Sequence, residues 1–172
     1  MTPAPPPTDA LVAIQPISWD GIATIIAAAL ATAVAVIGYS IQQRIARKQR
    51  RAEIYSEALR AVEDYLEAPY LVRRRDGSAS ARQVITTHVS DIQSRLSYYG
   101  ALLDIHANSE ISTAYKALVS ATRSEAGKAM REAWEARPTR RDRGVSLSSR
   151  LDRSRSDEAK KAYIATVKKN DG

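Results

Sequence analysis

The side chains best suited to chemistry are few, and their spacing works against it. His88 and His106 stand eighteen residues apart, whereas two histidines share a metal on one helix face only at a spacing of three or four. His88 adjoins Val89 at the edge of an apolar seam, which predicts a histidine packed in a core. His106, near Asp104, suits the negative end of a helix dipole. Glu63, Asp64 and Glu67 recur at helical spacing, but acid and base work needs carboxylates converging in a partly dry cleft, and these are expected on a solvated face. No Gly-x-Ser-x-Gly elbow and no Gly-x-x-x-x-Gly-Lys phosphate loop occurs. The chain has no cysteine, which removes disulfides and thiolate metal sites. The expectation is a protein that is not an enzyme and that carries no cofactor or metal.

What remains is arginine and lysine. Arg44, Arg47, Lys48, Arg50 and Arg51 form one group, Arg73, Arg74 and Arg75 a second, and Arg140 to Arg155 a third. The second group is a candidate for contact with anions, the phosphates of lipid headgroups or of nucleic acid. Aromatic residues interleaved for stacking bases are missing, which places an anionic membrane surface ahead of nucleic acid as a partner. The plain alternative is charge solvated in loops. All 26 Lys and Arg follow residue 43, against 17 of the 19 acids, so that portion carries about +9, a balance suited to an anionic surface.

The element that must position the first group is the stretch from Gly21 to Gln43, which has no charge between Asp20 and Arg44. About 20 apolar residues at ~1.5 Å rise reach ~30 Å, the thickness of a bilayer's hydrocarbon layer, and Ile22 to Ile41 fits. Ile22, Ile25, Ile26, Leu30, Val34, Val36, Ile37 and Ile41, at about 0.3 to 0.6 kcal/mol each, favour insertion by ~2 to 5 kcal/mol. That outweighs Thr24, Thr32 and Ser40. Trp19 and Tyr39 lie near the two ends, where amphipathic rings settle among headgroups. Residues 1 to 20 contain no Lys or Arg, whereas the basic group follows the stretch directly. Basic flanks are retained in the cytoplasm, so the expected arrangement is a single pass through the cell membrane, with the N-terminus outside and the C-terminal domain cytoplasmic. A cleavable signal peptide needs a positive n-region, which Met1 to Gly21 lacks beyond the amino group. A buried core helix is ordinarily shorter than this uncharged run.

Within the stretch, Ala23, Ala27, Ala31 and Ala35 line one helix face with small side chains, a possible packing surface for a second copy. Before it, residues 1–18 are proline-rich and expected to be a disordered tail outside the cell. After it, nothing stops the helix until Pro69, so one helix is expected to run from the membrane to Ala68. A loop with Asp76-Gly77 follows. Ile85, Val89, Ile92, Leu96, Tyr99 and Leu103 then alternate steps of four and three, a seam suited to coiled-coil or bundle packing. Gly100 inside it marks either a close neighbour or an earlier helix end. A third helix from about residue 109 to 136 presents Ile111, Tyr115, Leu118, Ala126, Met130, Ala133 and Trp134. Residues 139–156 read as a basic linker and 157–169 as a last helix.

No alternating strand pattern competes, and the fold class is all-α. The expected architecture is a transmembrane helix over 19–43 continuing into a three- or four-helix cytoplasmic bundle over 44–138, with helices at about 44–68, 80–106 and 109–136. The role that fits is a membrane-tethered helical interaction or oligomerisation module. A membrane-associated nucleic-acid binder and a membrane-permeabilising factor are the alternatives from other classes.

Overall fold

The computed structural model describes residues 19–139 and 151–171. They form four helices, α1 (Trp19–Arg73), α2 (Ala79–His106), α3 (Ser109–Glu135) and α4 (Ser154–Asp171), and no strand occurs among them. The chain is all-α, as the lack of alternation predicts. The tail expected over 1–18 and most of the linker expected over 139–156 lie outside the described residues. The chain divides into two compact units, Met1–Ile45 and Ala46–Gly172.

In the first unit, every residue from Ala23 to Gln42 is exposed. Aliphatic side chains point outward on all sides of the helix, with Ile25, Leu30 and Val34 at 68%, 63% and 70% exposure. Thr32 and Ser40 return their hydroxyls to the carbonyls of Ala28 and Ile37, both at 2.8 Å, so each polar side chain is satisfied within the helix.

The second unit has one core to which all four helices contribute. Ala58, Ala61, Val62, Tyr65, Leu66, Ala68 and Val72 of α1 meet Ile92, Leu96 and Leu103 of α2, Ile111, Tyr115, Leu118, Ala126, Met130 and Ala133 of α3, and Tyr163 of α4. Ile85, Val89 and Tyr99 are half-buried against it, so the apolar seam of α2 lies on the inward face. Small residues in the middle of α3 leave room for α4, and the Tyr115 and Tyr163 rings pack with centroids 5.8 Å apart. Burial raises the phenol pKa of both tyrosines. Their hydroxyls donate to the carbonyls of Leu96 and Tyr55.

The first helix does not end at Pro69. Proline removes one helical donor and crowds the carbonyl four residues before it, yet α1 runs one further turn to Arg73. Ala68, Pro69 and Val72 are all buried, and packing of an apolar face outweighs local propensity in most protein helices. The turn after α1 needs Gly77, which has φ +86°, a conformation that costs glycine little. A Cβ there would also meet Pro138 Cγ at 2.9 Å. Ser78 caps α2 by accepting from the Ala81 N–H, and Asn108 caps α3 by accepting from the Glu110 N–H. Gly100 neither ends α2 nor marks a close approach, since a Cβ there would sit 3.8 Å from Tyr115, an ordinary contact.

Residues 151–156 are tied down rather than forming a linker. The Leu151 N–H donates to the Tyr70 hydroxyl at 3.2 Å. Arg153 reaches Glu63 and Glu67 of α1 at 3.3 and 3.6 Å. The last helix starts at Ser154, not 157, because Glu125 of α3 accepts from the Arg155 and Ser156 N–H groups at 2.9 and 3.0 Å and from the Ser156 hydroxyl. A carboxylate on another helix thus satisfies donors that the first turn of α4 leaves unpaired. Serines and arginines alone, read in order, do not reveal a partner thirty residues away.

Candidate membrane interface

The first unit supplies a segment whose 18-residue window has a mean hydropathy of 2.1, long and apolar enough to cross a membrane. A helix apolar on all sides needs apolar surroundings on all sides. Trp19 is the first residue of α1. Near the other end, Tyr39 is exposed and its hydroxyl accepts from Gln43 Nε2 at 2.8 Å. Ala23, Ala27, Ala31 and Ala35 lie on one face of the helix and all are exposed.

Arg44, Arg47, Lys48, Arg50 and Arg51 are exposed. Arg44, Lys48, Arg50 and Arg51 have no ion-pair partner among the described residues. Five cations within eight residues, directly after the apolar segment, form a belt of charge with long flexible stems, able to reach phosphates in several directions.

The second arginine group divides. Arg74 is exposed, and Arg73 forms the last turn of α1. Arg75 is withdrawn from any role as an anion contact, because it is buried at 8% exposure and both terminal nitrogens of its guanidinium are engaged. Nη1 donates to the carbonyls of Val72 and Ala133 at 2.9 and 2.6 Å. Nη2 donates to those of Trp134 and Ala136 at 2.8 and 2.6 Å. The charge also lies 4.9 Å from the centre of the Trp134 ring, within cation–π range. These carbonyls belong to the ends of α1 and α3, where helices leave acceptors unpaired and carry partial negative charge. One guanidinium therefore closes two helix C-termini, and no carboxylate is needed to balance it. Thr139 adds to the lock, its N–H donating to the Arg75 carbonyl at 3.1 Å.

The other residues with potential chemistry are dispersed. His88 is exposed rather than packed in the core, because the inward face of α2 turns at Val89 and leaves position 88 outside. His106 is the last residue of α2. Glu63 and Asp64 are half-buried and Glu67 is exposed, and all three pair with cations outside α1. Glu63 meets Lys160 at 2.9 Å and Arg153 at 3.3 Å, and Asp64 meets Arg95 at 2.9 Å. The Glu63 carboxylate raises the pKa of Lys160. Among the described residues no group of three His, Cys, Asp or Glu is placed to hold a metal ion. These partners come from helices distant in sequence, so periodicity along α1 alone could not find them.

Comparison with protein-family models, with curated proteins and with solved structures gives no match.

Proposed function

We propose that the chain is a single-pass membrane protein that crosses the cell membrane through residues 19–43 with its N-terminus outside, and carries a four-helix cytoplasmic bundle that serves as an interaction or oligomerisation module. The observation that carries the reading is the ring of exposed aliphatic side chains from Ile25 to Ile41, followed directly by the exposed basic group Arg44 to Arg51. Lipid is the one solvent in which such a surface is favourable on every side. Trp19 and Tyr39 would anchor the helix at the two interfaces, and the belt would hold the second unit on the cytoplasmic side.

The module reading is supported by how the second unit uses its polar groups. Three of its carboxylates, Glu63, Asp64 and Glu125, join helices, and a scaffold is what such an arrangement maintains. The alanine face of the span would let two copies approach closely.

The test is extraction of full-length protein bearing an N-terminal tag. Retention of the tag and resistance to alkaline carbonate support a stable span. Loss of the tag on maturation identifies a cleaved signal peptide, and release by carbonate identifies peripheral attachment; either result defeats the proposal.

A further inference from the structure

We infer that one end of the second unit is a docking surface for an anionic lipid bilayer, in addition to the basic belt of α1. The inference rests on the membrane-span reading and gives it a second, separate contact. Three contacts define this end. The Tyr163 hydroxyl of α4 donates to the Tyr55 carbonyl of α1 at 3.4 Å, Asn108 of the α2–α3 connection donates to Asn170 of α4 at 3.0 Å, and Lys169 pairs with Glu110 of α3 at 3.3 Å. The end of α2, the start of α3 and the end of α4 are therefore gathered together, and the start of the packed part of α1 lies against the middle of α4, about 10 Å along that helix from Asn170.

The residues collected there suit a headgroup layer. Arg50 and Arg51 lie about one turn before Tyr55, while Lys168 and Lys169 come from the last turn of α4. Ile105 of α2, three residues before Asn108, is 71% exposed, an aliphatic side chain left in water at the same end. Both acids facing this end from α2 and α3 are already engaged inside the unit. Asp104 is held by Lys116 at 2.7 Å and by the Ser112 hydroxyl, and Glu110 by Lys169 and Asn170. Glu57 pairs with Arg60 at 3.7 Å, and Glu53 and Asp171 are the remaining carboxylates near this end in sequence. With Lys169 paired to Glu110, Arg50, Arg51 and Lys168 exceed Glu53 and Asp171 by one positive charge, and cations at the same end as an exposed aliphatic group complement an anionic surface with an apolar layer beneath it.

Continuity of the chain selects lipid over other polyanions. This is the end nearest in sequence to the apolar segment: Arg51 follows Arg44 by only seven residues, so a chain anchored by that segment keeps this end within reach of the headgroup layer whatever the angle between the two.

Because the chain has no cysteine, single-cysteine variants of the full-length protein can carry an environment-sensitive fluorophore. The protein is reconstituted in vesicles of phosphatidylcholine, alone or mixed with phosphatidylserine, and quenched with acrylamide, which is neutral. With Ile105→Cys, quenching should fall when phosphatidylserine is present, the ratio of docked to undocked protein rising about fivefold, the effect of roughly one further basic residue held near an anionic surface, and adding Lys168→Glu should restore it. Glu135→Cys, at the exposed end of α3, should not respond. Unchanged quenching at Ile105, or an equal response at Glu135, overturns the docking surface. Val34→Cys separates the two claims: a label there protected in both vesicles keeps the span, so failure at Ile105 then counts against docking alone, whereas exposure at Val34 defeats the span and the docking with it.

Discussion

Replacing Arg75 with methionine keeps most of the apolar stem and removes only the guanidinium, which makes it a direct measure of what one buried charge contributes to this fold. Two of its four hydrogen bonds, to Val72 and Ala133, are buried and two are partly buried. A buried polar group left without a partner costs about 1–3 kcal/mol. The Val72 carbonyl keeps the backbone N–H of residue 75 as a partner at 3.3 Å, so the Ala133 carbonyl alone is orphaned in the interior, at about 1–3 kcal/mol, and the partly hydrated Trp134 and Ala136 carbonyls bring the expected loss to about 3 kcal/mol. At roughly 4 °C per kcal/mol for a unit of this size, the thermal midpoint should fall by about 12 °C. Arg75→Lys keeps a positive charge at both helix ends but lacks the planar fork, and should recover about half of the loss. The assay is unfolding of the full-length protein in micelles, followed by circular dichroism and by Trp134 fluorescence in a Trp19→Phe background. The guanidinium lies against the Trp134 ring, so the emission should change as well. A cost below about 0.5 kcal/mol for methionine, within the range of ordinary surface substitutions, would refute the capping role. Equal costs for lysine and methionine would refute the part assigned to charge.

Glu125→Ala leaves the first N–H groups of α4 unpaired and should destabilise that helix by about 1–2 kcal/mol, as loss of an N-cap does; amide exchange at Arg155 and Ser156 should accelerate more than in α2. Acid should weaken the fold: Asp104 is held below the usual carboxylate range mainly by its hydrogen bond from Lys116, and Glu110 mainly by Asn170. With folded-state values depressed, their contribution is present above the usual carboxylate range and is lost as pH falls through it to the folded values, so the urea midpoint should drop between neutral pH and pH ~3. Alkali acts through Tyr115 and Tyr163, which burial keeps protonated. Their contribution is complete below the ordinary phenol range and declines as pH rises through it, with ultraviolet titration showing both ionising later than free tyrosine. Finally, Ala27→Leu with Ala31→Leu should abolish crosslinked oligomers in membranes, and an unchanged crosslinked species removes the alanine face as the contact.

Features carried by periodicity could be read from the sequence, and features carried by pairing could not. The seam from Ile85 to Leu103 and the apolar face from Ile111 to Ala133 recur at helical steps, so each helix declares its inward side without reference to any neighbour. The uncharged run from Gly21 to Gln43 is visible for a similar reason, since length and composition are local properties. Pro69 misleads because its local effect is real but is outweighed by burial of Ala68 and Val72 on either side. Arg75 misleads further. In sequence it is one of three consecutive arginines, and only the approach of the α3 C-terminus, some sixty residues away, turns it from a free cation into a buried cap. Glu125 and Arg153 belong to the same class: their partners lie on other helices, and nothing in the spacing of either segment points across the gap.

The central claim is that the chain crosses the membrane once with its second unit in the cytoplasm. Thr8→Cys and Ser90→Cys variants of the full-length protein, treated in intact cells with a membrane-impermeant maleimide, test it directly. Thr8→Cys should be labelled in intact cells, and Ser90→Cys, exposed on α2, only after permeabilisation. Labelling of Ser90→Cys in intact cells, with Thr8→Cys protected, would contradict the orientation, and labelling of both without permeabilisation would contradict the crossing itself.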